Sequence, residues 1–418
     1  MSEARTTGWT KGTLGEILPI KYGKSLPAKL RDSSGRFPVF GSSGRVGVHV
    51  QPLTNGPALI VGRKGTVGAV HFSTEPCWPI DTVYFSEGEQ GQNLRYFKYL
   101  LDSLNLVQLD KSTAIPGLSR DDYNALNVRI APPVEQERIV AEVEKQFSRL
   151  DEAVANLKRV KANLKRYKAA VLKAAVEGRL VPTEAELARC DGRDVEPVIP
   201  PAATIPALPS GWEWAALPRL GELNRGKSKH RPRDDIQLYG GPYPFIQTGD
   251  VRRSDGTICD FSQTYSEVGL RQSRLWPAGT LCITIAANIA ETGILRTPAC
   301  FPDSIVGFLS DNATTTRFIE FFIRTSREKL ERFAPATAQK NINLAVLRNV
   351  LVPLPPLGEQ HRIVAEVDRH LSIVREVESE VDANLKRAQV LRQAVLARAF
   401  APPGATCAGQ SEHVVATA

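Results

Sequence analysis

Apolar residues recur every three or four positions from Pro132 to Val176, and the pattern returns from Pro356 to Leu396. One stripe holds Val140, Val143, Phe147, Leu150, Val154, Leu157, Lys161, Leu164, Lys168 and Val171. The other holds Val364, Val367, Leu371, Val374, Glu378, Val381, Leu385, Ala388, Arg392 and Val395. An apolar stripe repeating every ~3.5 residues between charged flanks predicts a coiled-coil seam. Proline ahead of each copy suits a helix start, where no backbone donor is needed. Gly178 stops the first copy, and Pro402-Pro403 stop the second. Each helix is expected to be roughly 55 Å long, at about 1.5 Å per residue. Since one such seam cannot stay in water, the two helices are expected to pack antiparallel. Phe147, Leu150, Val154, Leu157, Lys161 and Leu164 then meet Leu371, Val374, Glu378, Val381 and Leu385. Lys161 and Glu378 interrupt the apolar stripes, and facing each other would offset their desolvation.

The two copies align without a gap. The first opens P-P-V-E-Q-E-R-I-V-A-E-V at Pro132 and the second P-L-G-E-Q-H-R-I-V-A-E-V at Pro356. The offset of 224 that takes Glu135 to Glu359 also takes Ala170-Val171-Leu172 to Ala394-Val395-Leu396 and Ser112-Thr113-Ala114 to Ala336-Thr337-Ala338. Further upstream, Gly8-Trp9 recurs as Gly211-Trp212, Leu14-Gly15-Glu16 as Leu220-Gly221-Glu222, and Gly23-Lys24-Ser25 as Gly226-Lys227-Ser228. Between these landmarks the halves share little.

The stretches before each helix have short apolar runs separated by Gly, Pro and Asn, which predicts β-rich globules. Ala58-Leu59-Ile60-Val61 and Val67-Gly68-Ala69-Val70 are two such runs, joined by a tight turn, Gly62-Arg63-Lys64-Gly65, with two cations. Leu94 to Leu106 reads as a helix. The expected order is a globule over 1–131, a long helix over 132–180 and a Pro-rich linker over 181–210. A second globule over 211–352, a second long helix over 353–400 and a disordered tail over 401–418 follow. The fold class is α+β: two globules with β-rich cores, joined and separated by two long antiparallel coiled-coil helices in a pseudo-two-fold repeat. Halves that agree in their frame and differ inside suit a common scaffold with two separate readings of an asymmetric target.

The chain has 418 residues and a net charge of +8, which leans toward an acidic polymer as partner. Six scattered cysteines form no C-x-x-C pair, so neither a zinc site nor a disulfide framework is expected. The start Met1-Ser2-Glu3-Ala4-Arg5 lacks the apolar core of a signal peptide, and the apolar run from Leu281 to Ala290 is too short for a bilayer. The expectation is a soluble cytoplasmic protein.

Catalytic constellations are missing. The six histidines have no metal spacing, and no G-x-S-x-G occurs. Neither Pro132-Pro133 nor Pro355-Pro356 sits in an N-P-P-Y/F context of the adenine methyltransferase kind. No cofactor is called for. Gly221 to Ser228 fits G-x-x-x-x-G-K-S, but Pro218 before it and Pro232 after it deny the strand and helix a phosphate loop requires. A nucleotide-binding enzyme using Lys227 and Ser228 is therefore the weaker alternative, and a structural coiled-coil adaptor without DNA contact is another. The same segment reads better electrostatically. Arg225, Lys227, Lys229 and Arg231 are candidate phosphate contacts, with Lys24 as a looser counterpart. Candidate base readers are Arg45, Arg63 and Lys64 in the first globule and Arg252, Arg253, Arg271, Arg274 and Asn288 in the second.

Two occurrences of P-P-x-x-E-Q-x-R-I-V and a long helix, each after a globule opening G-W…L-G-E, resemble the specificity subunit of type I restriction–modification systems. The pieces carrying the resemblance are Glu135-Gln136 with Arg138-Ile139-Val140 and Glu359-Gln360 with Arg362-Ile363-Val364; the likeness covers about residues 1 to 400. The resemblance implies that each globule is a target recognition domain reading one half of a bipartite double-stranded DNA site. It implies that the helices set the unread spacer and dock two adenine-specific DNA methyltransferase subunits. It also implies that a restriction and translocase subunit joins, and that the chain performs no catalysis.

Overall fold

The structure is a computed structural model. It describes residues 8–89, 91–110, 117–193, 207–229, 232, 234–286, 289–332 and 341–401. Two compact units divide the chain, one of residues 1–158 with 382–418, the other of residues 159–381.

Each unit holds one globule and a portion of both long helices. The first long helix runs Pro133–Val176 and the second Leu357–Ala399, 44 and 43 residues. Each is thus about 65 Å long rather than the expected 55 Å, at about 1.5 Å per residue. Gly178 ends the first in a left-handed conformation (φ +67°), with the Arg179 N–H returning to the Ala174 carbonyl at 2.9 Å. The tail beyond Ala401, with the prolines expected to stop the second, lies outside the described residues, as do Ser112-Thr113-Ala114 and Ala336-Thr337-Ala338.

In the first unit a four-stranded antiparallel sheet orders Lys21–Tyr22, Val83–Ser86, Ala58–Gly62 and Val70–Ser73. The strand Ala58–Gly62 is buried along its whole length, which explains its unbroken apolar run. The run expected from Val67 becomes strand only at Val70. Gly68 takes φ +72° and its Cα lies so close to Leu106 and Val107 that a Cβ would meet Val107 N at 2.7 Å, so the chain turns there. A smaller sheet orders Gly44–His49, Phe37–Gly41 and Trp78–Pro79. The amphipathic helix Leu94–Ser103 buries Tyr96, Phe97, Leu100 and Leu101 in a core shared with Val140, Val143, Phe147 and Leu396 of the long helices.

The second globule is built on a five-stranded sheet. Its order is Glu222–Arg225, Ile305–Leu309, Leu281–Thr284, Thr292–Leu295 and Gly256–Ile258, antiparallel except for the last pair. The helix Ala313–Thr325 packs Phe318, Ile319 and Phe321 into a core completed by Val171, Leu172, Ala175, Ile363, Val367 and Leu371. In each unit, early residues of one long helix therefore lie with late residues of the other, and the pair is antiparallel. Within the stretch read as linker, Thr183 caps a short helix, Glu184–Cys190, through a reciprocal bond with Glu186.

The repeat is also structural. A two-stranded ladder pairs Thr10–Thr13 with Asn127–Ile130 in one globule and Glu213–Ala216 with Leu351–Leu354 in the other. Just past it, Gln136 donates to the Ala131 carbonyl and Gln360 to the Pro355 carbonyl, each at 2.8 Å. Both glutamines are buried, and each satisfies a carbonyl that the helix start would otherwise orphan.

Along the seam Phe147, Leu371, Val374 and Val381 are buried, while Leu150, Val154, Leu157, Leu164 and Leu385 are half-buried. The charged break resolves differently from the expectation. Glu378 pairs with Lys168 at 2.9 Å, while Lys161 is exposed. Helical side chains lean toward their own N-terminus. In an antiparallel pair, residues leaning past each other meet although their Cα atoms are not level.

Candidate nucleic-acid interface

In the first globule the strand Lys21–Tyr22 lies at one edge of the four-stranded sheet and leaves Tyr22 52% exposed. The ring meets Tyr84 edge-on, 5.0 Å between centroids. Arg63 follows the buried strand and places its guanidinium 5.4 Å from the Tyr22 ring and 6.0 Å from the Tyr84 ring. It also donates to the Asp81 carbonyl at 2.8 Å. Arg120, the first residue of the helix Arg120–Asn124, puts a second guanidinium 5.9 Å from the Tyr22 ring. Burial pushes the Tyr84 hydroxyl up to about 12, and it donates to the Leu118 carbonyl at 3.0 Å. Two guanidiniums beside one exposed phenol ring can stack on a base and donate to phosphate or to a base edge.

The neighbouring cations have fixed backbones and outward side chains. Lys64 is exposed, with its backbone bridged to Gly117. Exposed Lys24 donates its N–H to the Pro79 carbonyl at 3.0 Å and accepts the Trp78 indole N–H at 2.9 Å. Arg45 is exposed on the strand Gly44–His49.

In the second globule the segment after the strand Glu222–Arg225 runs beside the end of the helix Glu267–Arg271. Ser273 donates to the Lys227 carbonyl at 2.8 Å, and the Lys229 N–H donates to the Gln272 side chain at 2.6 Å. This brings Lys227, Lys229 and Arg271, all exposed, to one surface. Arg225 is exposed at the strand end, its guanidinium on the Asp303 carbonyl at 3.0 Å.

Two of the arginines are held in ion pairs at the surface of the globule. Arg274 makes a two-pronged bond to Glu222 and lies 3.8 Å over the Trp276 ring. The bond from Arg274 holds the Glu222 carboxyl down to about 2. Arg253 pairs with buried Asp250 at 2.5 Å on the helix Thr248–Arg253, which also carries exposed Arg252. Arg231 and Asn288 lie outside the described residues.

The G-x-x-x-x-G-K-S segment is not a phosphate cradle. Glu222–Arg225 within it is itself a strand, paired with Ile305–Leu309. A Cβ on Gly221 would meet the Leu309 carbonyl oxygen at 2.3 Å, and one on Gly226 the Phe301 carbonyl oxygen at 2.3 Å. Its glycines therefore serve close strand packing, and the Lys227 N–H is spent on the Phe301 carbonyl at 3.0 Å. Among the described residues no three His, Cys, Asp or Glu side chains are grouped to hold a metal. None of the described helices is long and apolar enough to cross a membrane.

The sequence alone singles out neither Tyr22 nor Arg120. Nothing local marks them, because only the fold carries Arg120 to Tyr22.

The family model described as the type I restriction modification DNA specificity domain matches residues 6–166 and again 209–387. The chain belongs to that family. It is 25% identical to the type I restriction enzyme EcoBI specificity subunit of Escherichia coli over 82% of this chain and 72% of that one. It is 20% identical to the EcoDI specificity subunit of Escherichia coli over 94% and 88%. A chain from a structure on complex assembly and conformational transition of the type I R-M system shares the fold, with a TM-score of 0.70 at 17% identity over 94% of this chain and 98% of that one. The HsdS subunit from Thermoanaerobacter tengcongensis is similar at a TM-score of 0.50 and 18% identity, over 96% and 99%.

Proposed function

We propose that the chain is the DNA specificity subunit of a type I restriction–modification complex in the cytoplasm. Each globule reads one half of a bipartite duplex site, and the long helices set the unread spacer. They also dock adenine-specific methyltransferase subunits, which a restriction and translocase subunit joins. The chain itself performs no catalysis. The observation that carries this reading is the double family match, each copy covering a globule together with most of the helix that follows it.

The exposed cations and Tyr22 supply the contacts. Lys24, Arg225, Lys227 and Lys229 hold phosphates and fix the register. Arg45, Arg63, Lys64, Arg120, Arg252 and Arg271 are the base readers, with Tyr22 as a stacking surface. DNA presents an equivalent groove only once per turn, so two readers on stiff helices select one spacing.

The test is an exchange of residues 1–131 for another such domain, followed by methylome sequencing. One half-site should change while the other half and the spacer stay. A change in both halves would overturn independent reading, and unmethylated DNA in the presence of a competent methyltransferase would overturn the role altogether.

A further inference from the structure

A run of ion pairs of alternating sign fastens the second globule to both long helices. It starts on the second long helix at Asp368, which takes Arg317 at 2.8 Å. Arg317 stands on the helix Ala313–Thr325 and also reaches Glu320 and the Gly256 carbonyl, both at 3.3 Å. Glu320 is fully buried, accepts the Thr292 hydroxyl at 2.9 Å and pairs with Arg324 at 3.2 Å. Arg324 continues to Asp255 at 3.3 Å. Asp255 faces Lys168 of the first long helix at 3.8 Å, and Lys168 closes on Glu378 at 2.9 Å, back on the second long helix. All these residues belong to the one unit, 159–381.

Stability alone does not account for such an arrangement. Burial pushes the Glu320 carboxyl up, against the pull of Arg324 and Arg317. A buried pair of this kind at best breaks even with well-packed apolar residues. What it adds is direction, because each bond fixes an angle as well as a distance. Asp255 is presented by a tight Asp-Gly turn, φ 44° followed by φ 96° at Gly256, which holds its carboxylate at a fixed place between Arg324 and Lys168. The first globule meets its helix portions differently, through rings and aliphatic side chains such as Tyr99 on Phe147 and through a partly exposed pair, Arg95 with Glu144 at 3.2 Å, rather than through a buried run of charges. Ring and aliphatic contacts are far less directional.

We propose that the circuit is an orientation lock, in which Arg317, Glu320 and Asp255 are positioning residues. They set the angle at which the second globule stands on the helix pair, and with it the spacer length the protein accepts. This rests on the reading of the chain as a specificity subunit. Loosening the circuit leaves both base-reading surfaces intact and lets the second globule swing, so neighbouring spacers become acceptable.

The test uses the full chain assembled with methyltransferase subunits, on duplexes whose spacer between fixed half-sites varies by single base pairs. Arg317→Met should lower the ratio of methylation at the preferred spacer to that at its neighbours by about tenfold or more, with both half-sites unchanged. Arg317→Lys should restore part of that ratio. A folded Arg317→Met complex that keeps the wild-type ratio, including one that loses methylation equally at every spacer, overturns the proposal. If Arg317→Met does not fold, Lys168→Met removes the link between Asp255 and Glu378 at a less buried position, and the same ratio decides. A wild-type complex that recognises no bipartite site overturns the functional reading itself.

Discussion

The buried carboxylate of Glu359 accepts the indole N–H of Trp212 at 2.8 Å. The same carboxylate accepts the Glu184 N–H at 3.0 Å, so one side chain ties the second long helix to the start of the second globule and to the short helix after the first. Its counterpart Glu135 instead pairs with Arg138 on the surface, at 2.6 Å. Trp212→Phe is therefore expected to cost about 1–3 kcal/mol, because it leaves a buried acceptor short of a donor. Glu135→Ala should stay within about 0.5 kcal/mol. Urea unfolding of the two variants decides, and equal costs would contradict the asymmetry.

The Glu222–Arg274 pair should be visible in the pH dependence of stability. The folded carboxyl sits at about 2, below its ordinary 4.5. Its contribution is then fully present above pH 4.5 and lost as pH falls toward 2. Since the two side chains are 33% and 38% exposed, that contribution is discounted to about 1 kcal/mol or less. The stability difference between wild type and Glu222→Gln should shrink across this window; a difference independent of pH would refute the pairing.

Lys227→Ala should weaken binding to specific and random duplexes alike and lower the salt slope by about 1. Tyr22→Ala should cost about 1–3 kcal/mol of target binding if the ring stacks on a base. That loss is expected without a drop in the melting temperature. Fluorescence anisotropy of the assembled complex across a salt series separates the two effects. Sequence-selective loss in Lys227→Ala would reassign it as a base reader.

Gly226→Ala should destabilise the second globule by about 2 kcal/mol or more, because the added Cβ runs into backbone. ATP should leave the melting temperature of wild type unchanged. A rise on adding ATP, abolished by Lys227→Ala, would revive the phosphate-loop alternative.

The long helices are legible in the sequence because an apolar stripe every three to four residues has no other common reading. The repeat is legible because Gln136 and Gln360 do the same work in both copies. Apolar pattern alone starts a strand at Val67 instead of Val70, because Gly68 turns the chain by a contact with Leu106 and Val107 that no local pattern encodes. Level along the axis matches Lys161 to Glu378, whereas side-chain lean gives the bond to Lys168. Tyr22, Arg63 and Arg120 are far apart in the chain, so composition can suggest cations on a turn but not the ring between them. Glu320 does leave a trace, a lone acid within Phe318-Ile-Glu-Phe-Phe322, which marks a charge that has to be buried with partners.

Each globule is fastened at its neck by the ladder that pairs Thr10–Thr13 with Asn127–Ile130, or Glu213–Ala216 with Leu351–Leu354. The chain thus enters and leaves each reader through two strands lying side by side. A foreign cassette grafted at this neck therefore has to match the pair of strand ends and also the apolar face that each globule shares with the long helices.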